Sequence, residues 1–155
     1  MSQRCYFAYG QHMATAMMGG CVAGAHLVGR GQLREWALSL DHMGADGSAK
    51  ANLRRDPGAE VWGVIYRLPA GGLAALDAAL LGYRRVELDP VDDAGAVRPC
   101  TAHLSDIVDE TWTAVDVYRD QLVAGAREHA LPETYVEALE ALPAKPGRLP
   151  GCGGR

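Results

Sequence analysis

A glycine turn near the amino end is the first feature of this chain that could act on a small molecule. A short apolar run ends at Tyr9 and continues through Gly10 into Gln11 and His12, a pattern typical of a strand that enters a tight turn. Successive backbone N–H groups in such a turn can hold an anion. The alternative for these residues is a plain strand end without a ligand.

Two histidines are candidate acid–base groups, because the imidazole changes charge close to neutral pH. His12 is either a proton carrier or only part of a pocket wall. His103 lies in a predicted strand, where a histidine is more often structural. It becomes a catalytic candidate if the fold brings it close to His12.

The other histidines and the cysteines lack the spacing of a metal site. The five histidines form no H-E-x-x-H motif, and the four cysteines form no C-x-x-C pair. A glycine-rich dinucleotide fingerprint and a P-loop are also missing from the sequence. We therefore expect no metal and no cofactor, and we expect the cysteines to be reduced thiols.

The composition is that of one globular domain with a single core. The chain has 155 residues, of which 48% are hydrophobic and 22% are charged, and its formal net charge is −4. A mildly acidic chain argues against nucleic acid and anionic membrane as partners. No apolar run approaches the roughly 20 residues of a membrane helix, and the amino end lacks the apolar stretch of a signal peptide. We therefore expect a cytoplasmic protein.

Strands dominate the first two thirds of the chain, and helices dominate the last third. The clearest predicted strands are Cys5–Tyr9, Glu60–Leu68 and Tyr83–Leu88. The clearest predicted helices are Leu73–Leu81, Val115–His129 and Pro132–Leu142. This order predicts an α+β fold with a mixed or barrel-like sheet and helices packed on it. We expect the domain to span residues 1–142 and the Pro/Gly-rich residues 143–155 to form a mobile tail.

Glycine and proline are predicted to interrupt regular structure at three places. Gly19 should end a short helix that begins at Gln11, and Gly29 to Gly31 should break a strand. The sequence Asp56-Pro57-Gly58 should form a turn before the strand that starts at Glu60.

Five segments in order resemble the gamma-glutamylcyclotransferase-like family over nearly the whole chain. They are YFAYG at 6–10, PGAEVWGVIY at 57–66, LD at 76–77, YRRV at 83–86 and, further on, Tyr118 with GAREH at 125–129, LP at 131–132 and Tyr135. The resemblance implies a small mixed β-barrel of the gamma-glutamylcyclotransferase-like type with surrounding helices. It also implies an intramolecular reaction of a γ-glutamyl group, which yields 5-oxoproline and releases an amine.

The chain departs from the family pattern at the position that the family uses for proton transfer. The resemblance places the acid–base Glu of the motif LDxxEG at Leu80, whose hydrocarbon side chain cannot carry a proton. The Ser-Asn pair that follows the YG of the family is replaced by Gln11 and His12. Backbone donors in this turn survive such a change, because they depend on main-chain geometry rather than on side chains.

The sequence therefore predicts a rebuilt active site in a gamma-glutamylcyclotransferase-like protein. The catalytic candidates are His12 and His103. The predicted substrate-binding residues are Tyr6, Tyr9, Gly10, Gln11, His12, Met13, Leu80 and Tyr118. The expected ligand is an amino-acid-like small molecule, bound by a monomer or a homodimer. The alternative is a non-catalytic relative that kept the pocket and binds a small molecule or a partner.

Overall fold

The structure is a computed structural model that describes residues 4–149. The strands are β1 (Arg4–Ala8), β2 (His26–Met43), β3 (Ala49–Leu68), β4 (Tyr83–Leu88), β5 (Val91–Asp92), β6 (Cys100–Ser105), β7 (Ala114–Val115) and β8 (Ala144–Lys145). The helices are α1 (Thr15–Cys21), α2 (Gly72–Ala79), α3 (Asp116–Glu128) and α4 (Glu133–Glu140), and a 3-10 turn spans Gln11–Met13.

Six of these strands form one mixed sheet in the order β4-β6-β1-β3-β2-β5. Strand β1 lies in the middle, antiparallel to β3 and parallel to β6. The predicted α+β class is confirmed. The predicted barrel is not closed, because β4 and β5 form two separate edges of the sheet. A central strand is hydrogen-bonded on both sides, so the turn that follows β1 starts from a fixed point.

The longest feature is the β2–β3 hairpin, where the sequence predicts several shorter strands. The glycines at 29 and 31 and the Pro57–Gly58 pair lie inside these strands and do not end them. The pairing shifts register at Leu27/Gly29, at Arg34/Trp36 and at Leu40/His42. Such bulges absorb an extra residue and bend the ladder without ending it. The predicted strand break and turn are therefore wrong.

The helices follow the predictions more closely, with one exception. Helices α2, α3 and α4 lie within the predicted ranges apart from Gly72 at the start of α2. The exception is the segment after β1, where a 3-10 turn and then α1 replace one helix from Gln11. Gly19 does not end α1, which continues to Cys21. Gly19 lies on the exposed side of α1, where no atom would come within 4 Å of an added Cβ atom, so packing does not require a glycine here.

The core packs between the sheet and the helices. Phe7, Ile65 and Tyr66 are fully buried on β1 and β3, and Leu122 and Leu139 bury one face each of α3 and α4. The free cysteines in the described chain are Cys5, Cys21 and Cys100. Cys152 lies outside the described residues. No helix within residues 4–149 is both long and apolar enough to cross a membrane.

The described part of the predicted tail is attached to the domain. Ala144 and Lys145 pair in parallel with β7. A Cβ atom on Gly147 would lie only 2.5 Å from Cγ1 of Val115, so the chain runs close against β7. Leu149 is partly buried against the core. Residues 150–155 of that segment lie outside the described residues.

The contact between Gly63 and β1 predicts a large effect of one methyl group. A Cβ atom at this position would lie 2.5 Å from the carbonyl oxygen of Ala8 and 2.8 Å from the ring of Phe7. We expect Gly63→Ala to lower the free energy of unfolding by about 2 kcal/mol or more, because backbone atoms must move to admit it. The measurement is urea denaturation.

Gly19→Ala is the matched control, since nothing lies within 4 Å of the added methyl group. It replaces a glycine inside a helix and should raise the free energy of unfolding by roughly 0.5–1 kcal/mol. Equal effects of the two substitutions would contradict this account of the packing.

Candidate functional site

A cavity of about 800 Å³ opens beside the turn that follows β1. Its wall is built from the end of β1, the 3-10 turn, α1, the end of α2, the residues between β2 and β3, and α3. Nearly all predicted site residues line it, namely Tyr6, Tyr9, Gly10, Gln11, His12, Leu80, His103 and Tyr118. The fold therefore brings His12 and His103 to one cavity, which was the condition for treating His103 as a catalytic candidate.

Met13 is the exception among the predicted substrate-binding residues. Its side chain is fully buried in the core and does not line the cavity. Its carbonyl oxygen accepts hydrogen bonds from the hydroxyl of Tyr66 at 2.7 Å and from Nε2 of His129 at 2.8 Å. Met13 therefore fastens the turn to Tyr66 and His129 through its main chain, and its part in substrate binding stays a prediction.

The turn carries three backbone N–H groups without an acceptor. The N–H groups of Met13 and Ala14 donate to the carbonyl oxygens of Gly10 and Gln11, as expected in a 3-10 turn. Within residues 4–149, the N–H groups of Gly10, Gln11 and His12 donate to no protein atom. All three residues line the cavity. Such a run of unpaired N–H groups favours an anionic ligand.

The side chain of His12 is 6% exposed, and its ring forms no hydrogen bond with any described residue. Burial lowers the pKa of His12 to about 4, and the charge of His103 adds to this shift. The imidazole is therefore uncharged at neutral pH. A free lone pair on this ring is available to a ligand in the cavity.

A chain of hydrogen bonds leads from the cavity to the surface through His103. The hydroxyl of Tyr6 lies 2.7 Å from Nδ1 of His103, and Nε2 of His103 lies 2.8 Å from Oδ1 of Asp77. The guanidinium of Arg85 contacts the other carboxylate oxygen of Asp77 at 2.6 Å. Hydrogen bonds from Arg85, and then from His103, lower the pKa of Asp77 to about 2.

The ionised carboxylate of Asp77 decides the tautomer of His103. A carboxylate only accepts hydrogen bonds, so Nε2 of His103 must carry a hydrogen atom. In the neutral imidazole, Nδ1 is then the acceptor for the hydroxyl of Tyr6. Burial raises the pKa of Tyr6 well above its usual range, so this hydroxyl keeps its proton unless His103 takes it.

Three other tyrosines fix the cavity wall by bonds to the main chain. The hydroxyl of Tyr9 donates to the carbonyl oxygen of His103 at 2.6 Å. The hydroxyl of Tyr83 donates to the carbonyl oxygen of Ala51 at 2.6 Å, and the hydroxyl of Tyr118 accepts from the Ala51 N–H at 3.0 Å. These bonds tie β1, β3, β4, β6 and α3 together around the cavity.

The part of the cavity wall at the end of α2 is apolar. Ala78, Ala79, Leu80 and Leu81 all line the cavity, and Leu81 is 65% exposed at its edge. Leu149 and Met17 add further hydrocarbon. Leu80 therefore lines the cavity, and the described residues of this part of the wall include no carboxylate.

Sequence reasoning missed several polar residues that line the cavity, among them Asp46, Lys50 and Gln121. The ammonium group of Lys50 contacts both carboxylate oxygens of Asp46 and the hydroxyl of Ser48. Burial alone would raise the pKa of Asp46, but the hydrogen bonds from Lys50 and Ser48 outweigh it and lower this pKa. Asp46 lies in the loop between β2 and β3, and Lys50 lies at the start of β3. No sequence motif marks this ion pair.

His42 also lines the cavity, where its ring packs on Tyr83 with centroids 4.1 Å apart. Its Nδ1 atom bonds to the hydroxyl of Ser105, so this ring is held in place. Within residues 4–149, no three His, Cys, Asp or Glu side chains are grouped so that they could hold a metal ion.

Comparisons with known proteins agree with the predicted resemblance. The sequence model of the AIG2-like family matches residues 60–139. The gamma-glutamylcyclotransferases of mouse and human are each 26% identical in a 146-residue alignment that covers 88% of this chain and 77% of each relative. A solved gamma-glutamyl cyclotransferase superposes with a TM-score of 0.86 at 23% identity, covering 97% of this chain and 92% of that chain. This structure supports the shared fold.

The burial of His12 predicts how its ring titrates. We expect an NMR titration of the imidazole to give a pKa of about 4, against an ordinary value of 6.5. Between these values the unfolded chain binds a proton that the folded chain does not. The free energy of unfolding should therefore rise with pH across this window, with a contribution from His12 on the order of 3 kcal/mol.

His12→Gln removes this contribution, so its stability should depend less on pH between 4 and 6.5 than that of the unaltered protein. The exposed His26 offers the control His26→Gln, which should leave the slope unchanged. A titration of His12 near its ordinary value would show that water reaches the ring.

Proposed function

The chain belongs to the AIG2-like family and is gamma-glutamylcyclotransferase-like, and from this premise we propose that it converts a γ-glutamyl amide into 5-oxoproline and a free amine. The observation that carries the proposal is the convergence of three unpaired N–H groups and two imidazoles on one cavity. The N–H groups of Gly10, Gln11 and His12 are suited to hold the α-carboxylate of the γ-glutamyl group.

The reaction moves two protons. The α-ammonium nitrogen loses two protons and forms a bond to the γ-carbonyl carbon, while the bond from that carbon to the amide nitrogen breaks. The amide nitrogen gains both protons and leaves as an ammonium ion. Two proton carriers on one cavity meet this requirement without a metal or a redox partner.

His12 is the first proposed carrier. It is uncharged at neutral pH, and its ring nitrogens have no bonded partner in the described chain. A general base must hold a free lone pair within reach of the proton that it takes. His12 fulfils this condition from the same turn that would hold the α-carboxylate, so the α-ammonium group would lie beside it.

Tyr6 and His103 together form the second proposed carrier. As the hydroxyl oxygen of Tyr6 takes a proton from the substrate, its own proton can pass to Nδ1 of His103 over 2.7 Å. The imidazolium that results is stabilised by the ionised Asp77 at Nε2. The same bonds return the proton to the leaving amine. This relay would substitute for the Glu that the resemblance places at Leu80.

A non-catalytic binding protein is the second candidate function. The apolar wall at Leu80 and the closed Asp46–Lys50 ion pair favour it, since neither supplies a free carboxylate to the cavity. On this view the N–H groups still hold an amino-acid-like molecule, but nothing turns it over.

Product formation separates the two functions. Purified protein is incubated with γ-glutamyl amines, γ-glutamyl dipeptides and glutathione, and 5-oxoproline is measured. We expect product from at least one of them, and we expect His12→Gln to lower kcat by about 100-fold or more because a proton carrier is lost. The surface variant His26→Gln should retain full activity. Saturable binding without any product would instead support the binding protein.

A carboxylate restored at the end of α2 tests the position of Leu80. The side chain of Leu80 is partly buried and lines the cavity, so Leu80→Glu should present an acid to the substrate. We expect kcat with the best γ-glutamyl substrate to rise by about tenfold or more. Leu81→Glu is the matched control, because Leu81 is largely exposed. A gain in Leu81→Glu alone would show that the register is displaced by one residue.

A further inference from the structure

Gln121 carries an unsatisfied group beside the cavity. It lies on α3, and its side chain lines the cavity. The oxygen Oε1 is buried and has no hydrogen-bond partner among the described residues. A buried carbonyl oxygen without a donor is uncommon in folded proteins and calls for an explanation. A turn of the side-chain amide toward the cavity would let a ligand N–H group supply the missing donor.

The neighbours of Gln121 on α3 place it against the turn after β1. Tyr118 and Gly125 lie three residues before it and four after it, so all three share one face of the helix. A Cβ atom on Gly10 would lie 3.7 Å from the hydroxyl of Tyr118, and one on Gly125 would lie 3.1 Å from Cβ of Met13. Gln121 therefore lies alongside the turn between its two ends.

This juxtaposition places Gln121 on the face of α3 that packs against the turn. The unpaired N–H groups of Gly10, Gln11 and His12 favour a carboxylate, and the carbonyl of Gln121 favours a donor close to that carboxylate. A carboxylate and an N–H donor one carbon apart are the head of a free α-amino acid. We infer that Gln121 accepts a hydrogen bond from the α-ammonium group of the ligand whose carboxylate the turn holds.

The inference rests on the proposed function and makes it more specific. It requires a substrate with an unblocked α-amine, so N-acylated glutamyl compounds should not fit. It also assigns Gln121 as a positioning residue, which orients the amine that attacks the γ-carbonyl carbon. Asp46 does not compete for this role, because Lys50 already occupies both of its carboxylate oxygens.

A neutral acceptor suits an amine that must react. A carboxylate beside the ammonium group would favour its charged form and raise its pKa. The neutral amide carbonyl of Gln121 would orient the α-ammonium group while raising its pKa less than a carboxylate would. The proton can then leave more easily toward the uncharged ring of His12.

The test compares two ligands that differ only in the amine. L-glutamate carries the α-ammonium group, and glutarate lacks it. We expect calorimetry to show that the unaltered protein binds L-glutamate about tenfold or more tightly than glutarate, since hydrogen bonds to charged groups are strong. In Gln121→Met the affinity for L-glutamate should fall to that for glutarate, while the affinity for glutarate stays.

Gln121→Glu keeps an acceptor and adds a charge, so the preference for L-glutamate over glutarate should increase. Gln32→Met is the matched control. Gln32 lies on β2, where its amide donates to Glu60, and it does not line the cavity. This variant should keep the preference of the unaltered protein. Thermal melting of each variant verifies that it is folded.

Three outcomes would overturn the inference. They are equal affinity of the unaltered protein for both ligands, a preference that survives in Gln121→Met, and an equal loss of both ligands in that variant. The last would mean that Gln121 contacts the carboxylate through its N–H groups. Failure to form 5-oxoproline would instead count against the proposed function, because the binding preference does not depend on turnover.

Discussion

The site depends on a short turn whose N–H groups are kept free of internal partners. Strand β1 is hydrogen-bonded on both sides, to β3 and to β6, so the turn begins from an interior strand of the sheet. At its other end, the carbonyl of Met13 is held by Tyr66 and His129. A turn fixed at both ends cannot easily rotate its N–H groups toward internal acceptors. These groups stay available to a ligand because the sheet and α3 hold the turn in place.

The proposed proton transfer would take place around this turn without a free carboxylate in the cavity. Asp77 does not line the cavity; it lies behind His103 and is bound on its outer side by Arg85. Its negative charge reaches the cavity only through the imidazole and the hydroxyl of Tyr6. His12, in contrast, has no such support and stays uncharged because it is buried. The two imidazoles therefore differ in their surroundings, which allows them to differ in their roles.

The sequence predicted those features of the site that lie in one contiguous segment, and it did not predict those that depend on contacts between distant segments. The YFAYG run and the change at Leu80 are contiguous patterns, so the turn and the apolar wall were predictable. The meeting of His12 with His103 was predictable only as a condition, because it requires β1 and β6 to be adjacent. Gln121 has the pattern of an exposed polar residue on an amphipathic helix, since helical spacing does not reveal which face meets a turn more than a hundred residues away. Asp46 and Lys50 depend on the length of the β2–β3 hairpin, which the glycines at 29 and 31 concealed.

The charges of the cavity also limit what its ligand can be. Lys50 is neutralised by Asp46, and Arg85 by Asp77, so no side-chain cation in the described chain is free to bind an anion inside the cavity. A carboxylate would have to be held by the dipoles of N–H groups, which have a fixed direction and act over a short range. Such a site discriminates by geometry more than by net charge. In the arrangement that we infer, the unpaired oxygen of Gln121 adds an oriented acceptor to these donors. On the proposed function, selectivity for an amino-acid head would follow from the directions of these donors and acceptors.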